Sequence, residues 1–370
     1  MAMKPSSRGA SVRKADAFLV NLAVEQVRKD AVQQFLSQET IFVEVTTDDG
    51  AVGLGYSYTI GTGGTAVLAL LRDHLLPRLI GLDAGLIEAV WRDLFASTRS
   101  TTVGAITSLA LAAVDTALWD LKCLRAGEPL WRVAGGFAPK VPLYDTEGGW
   151  LQLSTEELVA GAVKAVDAGW CGIKLKVGKP TAVEDFERLL AVREAVGPRF
   201  PIMVDANQSM TCAEAIHRAE TFKPLALTWL EEPLPADDVS GHVRLSRSTT
   251  IPIAVGESMY SAGQFREYLE RGAASIVQVD VARIGGITPW LKVAHLAETF
   301  NVDVCPHFLM ELHVGLAAAI PNGRYVEHIP QLRAITTREM TVEDGHAIAP
   351  ESPGLGIAWD RDAMDNLRVA

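Results

Sequence analysis

Cysteine is scarce in this sequence, and hydrophobic runs long enough to cross a bilayer are absent. The four cysteines, Cys123, Cys171, Cys212 and Cys305, lie far apart and form no Cys-x-x-Cys pair, which is typical of reduced core residues and not of a disulfide framework. No apolar run approaches the roughly 20 residues that a membrane-spanning helix needs. The short apolar stretch after the basic start contains Asn21 and differs from a signal peptide. We therefore expect a cytoplasmic protein with no membrane partner.

Positive charge is also in deficit. The 34 lysines and arginines are outnumbered by 45 aspartates and glutamates, so the formal net charge is −11 and the sequence pI is about 5.3. This balance argues against nucleic acid or an anionic membrane as a partner. The glycine-rich stretch 60–65 lacks the lysine of a P-loop, and we interpret it as a lid more readily than as a phosphate site.

The first third of the chain predicts an α+β domain. Residues 40–46 and 52–58 alternate apolar and polar side chains around a turn, which predicts a hairpin. Helical periodicity follows over 65–97 and 104–126. A hairpin followed by helices is typical of an α+β module, to which we assign residues 1–138 as an N-terminal capping domain.

From Val141 onward, short apolar strands alternate with amphipathic helices. The eight predicted strands are 141–147, 171–177, 201–207, 227–233, 251–257, 275–281, 302–308 and 323–329. Eight βα repeats in about 200 residues predict a (β/α)8 barrel of the TIM type, which we assign to residues 139–335. Residues 336–370 fall outside the repeat and are predicted to return to the capping domain.

Polar residues stand at the ends of seven of these strands. In a βα barrel the chemistry lies at the C-terminal ends of the strands. From the second strand on, the residues are Lys174 and Lys176, Asp205 and Asn207, Glu231, Glu257, Asp280, His307, and Glu327. From Asp205 they recur at nearly constant intervals, as residues at one height on successive strands would. This spacing predicts a single site.

Lys174 and Lys176 flank Leu175, so on a buried strand both ammonium groups would face one side, about 6.6 Å apart. Their repulsion, about 2 to 3 kcal/mol at an effective dielectric of about 20, predicts that one lysine has a lowered pKa and can abstract a proton near neutral pH. An isolated Lys-x-Lys pair more often lies on an exposed edge strand. In this sequence the pair belongs to the series of strand-end residues, which favours the interpretation as a catalytic base.

Asp205, Glu231 and Glu257, which we call the metal triad, end three adjacent predicted strands. An all-oxygen set of this kind suits one Mg²⁺ ion per active site. A single strand-end carboxylate is more often a helix cap, but three at matched height with no cation between them favour a metal site. Asp280 and His307 end the next two strands, and an aspartate that orients a histidine makes a second acid or base.

These motifs, taken in order, resemble those of a known family. KLK, VDAN, LEEP, GES, VDVARIGG, PHF and VEH are similar in order and spacing to the motifs of the enolase superfamily, and within it of the mandelate racemase subgroup. The resemblance covers nearly the whole chain. Muconate-cycloisomerase-like relatives carry a lysine at the end of the sixth strand, where this chain has Asp280, and this difference favours the mandelate racemase subgroup.

The resemblance implies a role for each strand-end residue. The metal triad would bind Mg²⁺, which holds the substrate carboxylate. Lys176 would be the base on one face of the α-carbon, tuned by Lys174, which also contacts the carboxylate. His307, paired with Asp280, would be the acid or base on the opposite face. Glu327 would hydrogen-bond the carboxylate oxygen that becomes the enediolate.

Further residues are predicted to contact the substrate. Asn207 would support the second face of the site. Tyr58 and Arg28 in the capping domain, and Thr146 and Glu147 at the end of the first barrel strand, offer polar or charged groups to an acid sugar. The segments YSYTIGTGG and DTEGGW resemble those of galactarate and talarate dehydratases, so a hexarate is the preferred substrate.

The resulting hypothesis is a Mg²⁺-dependent lyase that dehydrates an acid sugar, such as galactarate or talarate, to a 2-keto-3-deoxy acid through an enediolate. A racemase or epimerase of a 2-hydroxy acid on the same scaffold is the first alternative, and a non-catalytic barrel protein is a remote one. The partners expected are a small carboxylate substrate and further copies of the chain, in a homo-oligomer of two to eight subunits.

Overall fold

The computed structural model describes residues 10–370, except for the side chain of Glu25. It begins with a three-stranded antiparallel sheet in the order β1-β2-β3. The strands are β1 Val12–Lys29, β2 Gln34–Thr47 and β3 Val52–Thr59. The hairpin predicted from residues 40–58 is the β2–β3 pair, whose turn includes Gly50 at a φ of 84°, a left-handed conformation that glycine adopts without strain.

Helices pack on one face of this sheet. They are α1 Gly64–Leu70, which continues through a π-helical turn Leu71–Leu75 into α2 Leu76–Leu79, then α3 Ile87–Ser97, α4 Ala105–Ala126 and α5 Leu130–Val133. The long helix α4 approaches β3 closely because β3 carries glycine at the contact. A Cβ on Gly55 would lie 2.1 Å from the backbone nitrogen of Ala117, so only glycine allows this packing.

Eight parallel strands then form the barrel. They are β4 Lys140–Asp145, β5 Ile173–Lys176, β6 Ile202–Asp205, β7 Trp229–Glu231, β8 Ile253–Val255, β9 Ile276–Val277, β10 Asp303–Val304 and β11 Val326–His328. Neighbours pair in chain order, β11 pairs with β4, and a bridge between Val304 and Gly323 joins the last two strands. The predicted fold class, a TIM-type barrel with a capping domain, is confirmed.

Helices alternate with the barrel strands, as the pattern predicts, and all but the last of them, which is buried almost throughout, have an exposed polar face. They are α6 Thr155–Asp167, α7 Ala182–Val196, α8 Cys212–Phe222, α9 Val239–Ser248, α10 Ala262–Glu270, α11 Ile287–Thr299 and α12 Met310–Ala317, with single 3₁₀ turns at Lys223–Leu225 and Arg333–Ile335. Within residues 10–370, no helix combines the length and apolar character required to cross a membrane.

The C-terminal segment contacts both domains. It contains β12 Val342–Glu343, β13 His346–Ile348 and α13 Arg361–Asn366, and β13 pairs antiparallel with β4 of the barrel. Further on, the Trp359 ring lies edge-on to Phe42 and Tyr56, with centroids 5.1 and 5.3 Å away. The exact domain boundaries, after residues 138 and 335, stay predictions.

The capping domain is joined to the barrel at the N-terminal end of α11. The Asp115 carboxylate on α4 accepts a 2.9 Å hydrogen bond from the backbone N–H of Thr288, and Trp119 Nε1 donates to the Thr288 hydroxyl at 2.9 Å. Gly286 adopts a φ of 118°, and a Cβ there would lie 2.4 Å from Asp115 Oδ2. Asp115 is therefore a buried residue that hydrogen-bonds the two domains together.

Burial of Asp115 makes stability depend on pH. Burial raises its pKa to about 7, although the N–H groups of Thr288 and Ile287 oppose the rise. A group whose folded pKa exceeds its unfolded value of 3.8 binds a proton more tightly in the folded state. Its contribution to stability is therefore present below about pH 4 and is lost as pH rises toward 7.

We expect Asp115→Asn to become more stable, relative to the unmodified chain, as pH rises from 5 to 8. Asparagine keeps an oxygen acceptor for Thr288 and carries no charge, so the gain in unfolding free energy across this range should be about 2 to 4 kcal/mol. Urea unfolding of both proteins at the two pH values measures it. A difference in unfolding free energy between the two proteins that does not change with pH would contradict a raised pKa for the buried Asp115.

Candidate active site

The metal triad lies at the C-terminal ends of three adjacent barrel strands. Asp205 and Glu231 are the last residues of β6 and β7, and Glu257 follows β8 by two residues. All three are buried, and one carboxylate oxygen from each lies within 4.8 Å of the others. Three converging oxygen donors fit a hard divalent cation, which prefers carboxylate and water ligands.

Lys174 and Lys176 project from β5 toward this cluster. Lys174 Nζ lies 2.8 Å from Glu231 Oε1 and 2.8 Å from Glu327 Oε1. Lys176 Nζ donates to Asp205 Oδ2 at 2.6 Å and to Asn207 Oδ1 at 3.0 Å. Both lysines are buried and share one face of the strand, as their spacing predicts.

The pKa of Lys176 differs in direction from the prediction. Burial has the largest effect and lowers it, and the Lys174 ammonium lowers it too, but the carboxylates of Asp205, Glu257 and Glu231 together bring the pKa above its usual value. For Lys174, burial also lowers the pKa, and the carboxylates of Glu231 and Glu327 raise it well above the usual range. Sequence spacing placed the lysines and these carboxylates in one site, but it did not show how closely they pair.

The carboxylates of the triad respond unequally to this environment. Burial raises the pKa of Asp205, yet Lys176 and Lys174 lower it more, to about 2. Burial and the neighbouring Asp205 raise the pKa of Glu231 to about 7, although Lys174 opposes them. The cluster thus concentrates negative charge around Glu231 that Lys174 does not offset. A divalent cation bound there would stabilise this arrangement of charges.

His307 and Asp280 form the predicted dyad. His307 Nδ1 lies 2.9 Å from Asp280 Oδ2, and His307 Nε2 lies 3.4 Å from Glu257 Oε2. Burial raises the pKa of Asp280, but its hydrogen bond and charge interaction with His307 lower it to about 2. Burial lowers the pKa of His307, whereas Glu257 and Asp280 raise it above its usual value. An ionised Asp280 fixes which ring nitrogen of His307 faces the site.

Glu327 lies across the barrel from the triad, on β11. Its Oε1 accepts from Thr146 Oγ1 at 2.8 Å as well as from Lys174, and its Oε2 accepts from the Phe308 N–H at 2.9 Å. Burial raises the pKa of Glu327, but Lys174 and His307 bring it below the usual range. In this arrangement Glu327 accepts hydrogen bonds, whereas the role implied by the resemblance requires it to donate one.

A small cavity joins these groups. It is lined by Gln33, Phe35, Ile60, Thr146, Trp150, Lys174, Lys176, Asn207, Glu257, Arg283, His307, Phe308, Glu327 and Ile329. Two of the five predicted substrate contacts, Thr146 and Asn207, are therefore in the cavity wall. The two candidate bases and Glu257 of the triad also line the cavity, while Asp205 and Glu231 contact the lining residues Lys176 and Lys174.

The other three predicted substrate contacts bind protein groups instead. The Tyr58 hydroxyl donates to Asp280 Oδ2 at 2.7 Å. Glu147 is ion-paired with Arg28, which also donates to Gln331 Oε1 at 2.9 Å. Arg28 was expected to offer its charge to an acid sugar, but its guanidinium is buried and already paired with the partly buried Glu147. Arg28 thereby joins the end of β1 in the capping domain to the loops after β4 and β11.

Arg283 and Trp150 are among the cavity residues that the sequence analysis did not single out. Arg283 donates to the backbone oxygen of Glu257 at 3.1 Å and lies 3.4 Å from its Oε1. The Trp150 ring faces Lys176 Nζ at 5.3 Å from its centroid. Both stand in segments that the sequence singled out, VDVARIGG and DTEGGW, so the signal that could have found them was their position directly after a strand end.

Comparison with known proteins identifies the families and relatives that this chain resembles. Residues 157–363 match the family described as enolase C-terminal domain-like, and residues 15–135 match the mandelate racemase / muconate lactonizing enzyme N-terminal domain. The 3,6-anhydro-alpha-L-galactonate cycloisomerase of Streptomyces coelicolor is 39% identical over 90% of this chain and 92% of its own length. The L-talarate/galactarate dehydratase of Salmonella typhimurium is 36% identical over 87% of this chain and 81% of its own.

Solved structures agree with these relatives. The S. typhimurium L-talarate/galactarate dehydratase, liganded with Mg and L-lyxarohydroxamate, superposes with a TM-score of 0.94 at 32% identity, covering 100% of this chain and 96% of that one. A racemase from S. coelicolor with bound magnesium superposes with a TM-score of 0.93 at 36% identity, covering 97% of this chain and 100% of that one.

The predicted cofactor is confirmed: these neighbours were crystallised with magnesium, and the buried triad of this chain is suited to it. With both domains matched in order, the chain belongs to the enolase superfamily, in its mandelate racemase and muconate lactonizing enzyme family.

Proposed function

We propose that this chain catalyses the Mg²⁺-dependent dehydration of an acid sugar to a 2-keto-3-deoxy acid. The observation that carries the proposal is one cavity lined by Glu257 of the metal triad and by two different acid/base groups, Lys176 and His307 of the His307–Asp280 dyad. The other two carboxylates of the triad, Asp205 and Glu231, lie beside Glu257. When bound, Mg²⁺ supplies electrostatic stabilisation to a carboxylate on which negative charge develops.

The chain's own residues would carry out the proton transfers. Lys176 ends the second strand of the barrel, and His307 follows the seventh. Thr146 and Glu327, from the first and eighth strands, come between them in the order of strands around the barrel. A substrate α-carbon between the two acid/base groups would present one face to Lys176 and the other to His307. One group removes the α-proton, and the other protonates the departing β-hydroxyl, so that water leaves and the enol tautomerises to the keto acid.

Lys174 would hold the substrate carboxylate as the enediolate forms. Its ammonium is buried and already bridges Glu231 and Glu327, so a substrate oxygen in the cavity would meet a charged donor without solvent competition. Charge stabilisation of this kind is strong in a water-excluded site. A donor role for Glu327 would require a proton on its carboxyl group, which in the folded chain accepts hydrogen bonds from Lys174, Thr146 and the Phe308 N–H.

The choice of acid sugar depends on the wall of the cavity opposite the triad. The similarity to an L-talarate/galactarate dehydratase supports the predicted hexarate, whereas the similarity to a cycloisomerase of 3,6-anhydro-alpha-L-galactonate supports an acid sugar with one carboxylate. The capping-domain residues of the wall, Gln33, Phe35 and Ile60, are neutral, and Arg28 is paired with Glu147. A substrate with one carboxylate suits this neutral wall better.

Racemisation or epimerisation of a 2-hydroxy acid is the second candidate. It is favoured by the same two-sided placement of Lys176 and His307, because proton removal on one face and return on the other inverts the α-carbon. That the chain assembles as a homo-oligomer and resides in the cytoplasm stays a prediction.

Chelation should abolish activity. Because the three carboxylates of the triad would hold the ion, we expect turnover to disappear with EDTA and to return when Mg²⁺ is added. Keto-acid formation measured before chelation, after it, and after readdition tests this. Undiminished turnover by exhaustively chelated protein would rule out the metal assignment.

Product chemistry separates the two candidate reactions. We expect a library of mono- and dicarboxylic acid sugars to include one that yields a semicarbazide-reactive keto acid. Inversion of a 2-hydroxy acid without any keto acid would instead establish the epimerase. If neither product forms with any acid, the proposed function is wrong.

The two bases should act on opposite epimers. In D₂O, Lys176→Ala should lose exchange of the α-proton on one epimer and keep it on the other, and His307→Asn should show the reverse selectivity. Nuclear magnetic resonance of the recovered acid measures both exchanges. Loss of the same epimer in both variants would contradict the two-sided geometry.

A further inference from the structure

The Asp280 carboxylate receives four hydrogen-bond donors. Its Oδ1 accepts from the backbone N–H groups of Ala282 and Arg283 at 2.7 and 3.1 Å. Its Oδ2 lies 2.9 Å from His307 Nδ1 and accepts from the Tyr58 hydroxyl at 2.7 Å. An ionised carboxylate has about four acceptor positions, so these donors saturate it. Tyr58 is the one donor of the four that comes from outside the barrel.

Tyr58 is a donor that does not ionise near neutral pH. It lies on β3 of the capping domain and is 2% exposed. Burial raises the pKa of its phenol well above the usual value, and the nearby Asp280 raises it further, although Arg283 opposes both. The hydroxyl proton therefore stays on Tyr58, where it points at the oxygen that His307 also uses.

The Tyr58 ring also belongs to a stack that ends at the His307 imidazole. Tyr58 stacks on Phe308 with centroids 4.6 Å apart at 26°, and Phe308 stacks on His307 with centroids 5.3 Å apart at 17°. Phe308 itself is held by the hydrogen bond from its N–H to Glu327. The His307 imidazole thus stacks on the Phe308 ring and bonds the Asp280 carboxylate through Nδ1. Tyr58 contacts both Phe308 and Asp280.

We propose that Tyr58 is a positioning residue for His307, through which the capping domain completes one of the two acid/base groups of the barrel. The hydroxyl fixes the Asp280 oxygen that orients the imidazole, and the ring holds Phe308 against it. This inference rests on the proposed function. By contrast, the hydrogen-bond acceptors of Lys176 Nζ, on Asp205 and Asn207, both belong to the barrel.

Tyr58→Phe separates positioning from general packing, because phenylalanine keeps the ring stack and removes only the hydroxyl. We expect exchange of the α-proton on the His307 face to fall about 10- to 100-fold, the range typical of groups that orient a functional side chain by a hydrogen bond. Exchange on the Lys176 face should stay within about twofold, and kcat should fall more than KM. Equal losses on both faces would overturn the proposal.

Tyr56→Phe is the matched control. Tyr56 lies two residues earlier on β3 and is also fully buried, and within residues 10–370 its hydroxyl has no hydrogen-bond partner. Both substitutions therefore remove one buried phenol oxygen from the same strand. Tyr56→Phe should leave exchange on both faces unchanged, and a face-selective loss in this variant would also overturn the proposal.

A spectroscopic measurement tests the contact without relying on activity. The His307 Nδ1 proton, identified by its disappearance in His307→Asn, should move downfield in Tyr58→Phe because Asp280 Oδ2 loses its second donor. It should not move in Tyr56→Phe. An unmoved resonance in Tyr58→Phe would contradict the positioning role even if the protein proved to be an enzyme of another kind. Conversely, a shifted resonance in a protein that exchanges no α-proton would support the positioning and overturn only the proposed function.

Discussion

The structure depends on compensation of charge at the C-terminal end of the barrel. Two lysines and several carboxylates lie there with almost no access to water, and each ammonium lies within 3 Å of a carboxylate oxygen. Removing one partner from such a buried pair typically costs about 3 to 5 kcal/mol because the other charge is left uncompensated. The barrel strands that carry these residues must therefore keep their register, because a shift of one residue would turn every charge toward the outer helices.

The same compensation explains why the site can be buried and still reactive. A lysine surrounded only by apolar groups would lose its proton, and one beside a single free carboxylate would keep it firmly. Here burial and Lys174 lower the pKa of Lys176, whereas the carboxylates of the triad raise it. The basicity of Lys176 therefore depends on the charge of the triad. A cation bound to the triad would weaken the charge interaction by which Asp205 raises the pKa of Lys176, because the carboxylate would then also interact with the ion.

The capping domain contributes more than a cover. Asp115 and Trp119 bond the first turn of α11, Arg28 bonds the loops after β4 and β11, and Tyr58 bonds Asp280. All of these contacts lie at the catalytic end of the barrel, where the strands end and the helices begin. The domain that provides the neutral wall of the cavity is thus also the one that holds the His307 side of the site, which couples the shape available to the substrate with the placement of one base.

Much of this protein was determined by local pattern in the sequence. The eight strands, the helices between them, the turn at Gly50 and the series of strand-end residues could be predicted, because periodicity and turn chemistry act over a few residues, and because a barrel brings equivalent strand ends to one height. The direction of the Lys176 pKa, the occupation of Arg28 by Glu147 and the bond from Tyr58 to Asp280 could not. Each depends on a partner that lies between 29 and 222 residues away along the chain, and Coulomb interactions and hydrogen bonds are decided by distances of a few ångströms that only the folded chain establishes.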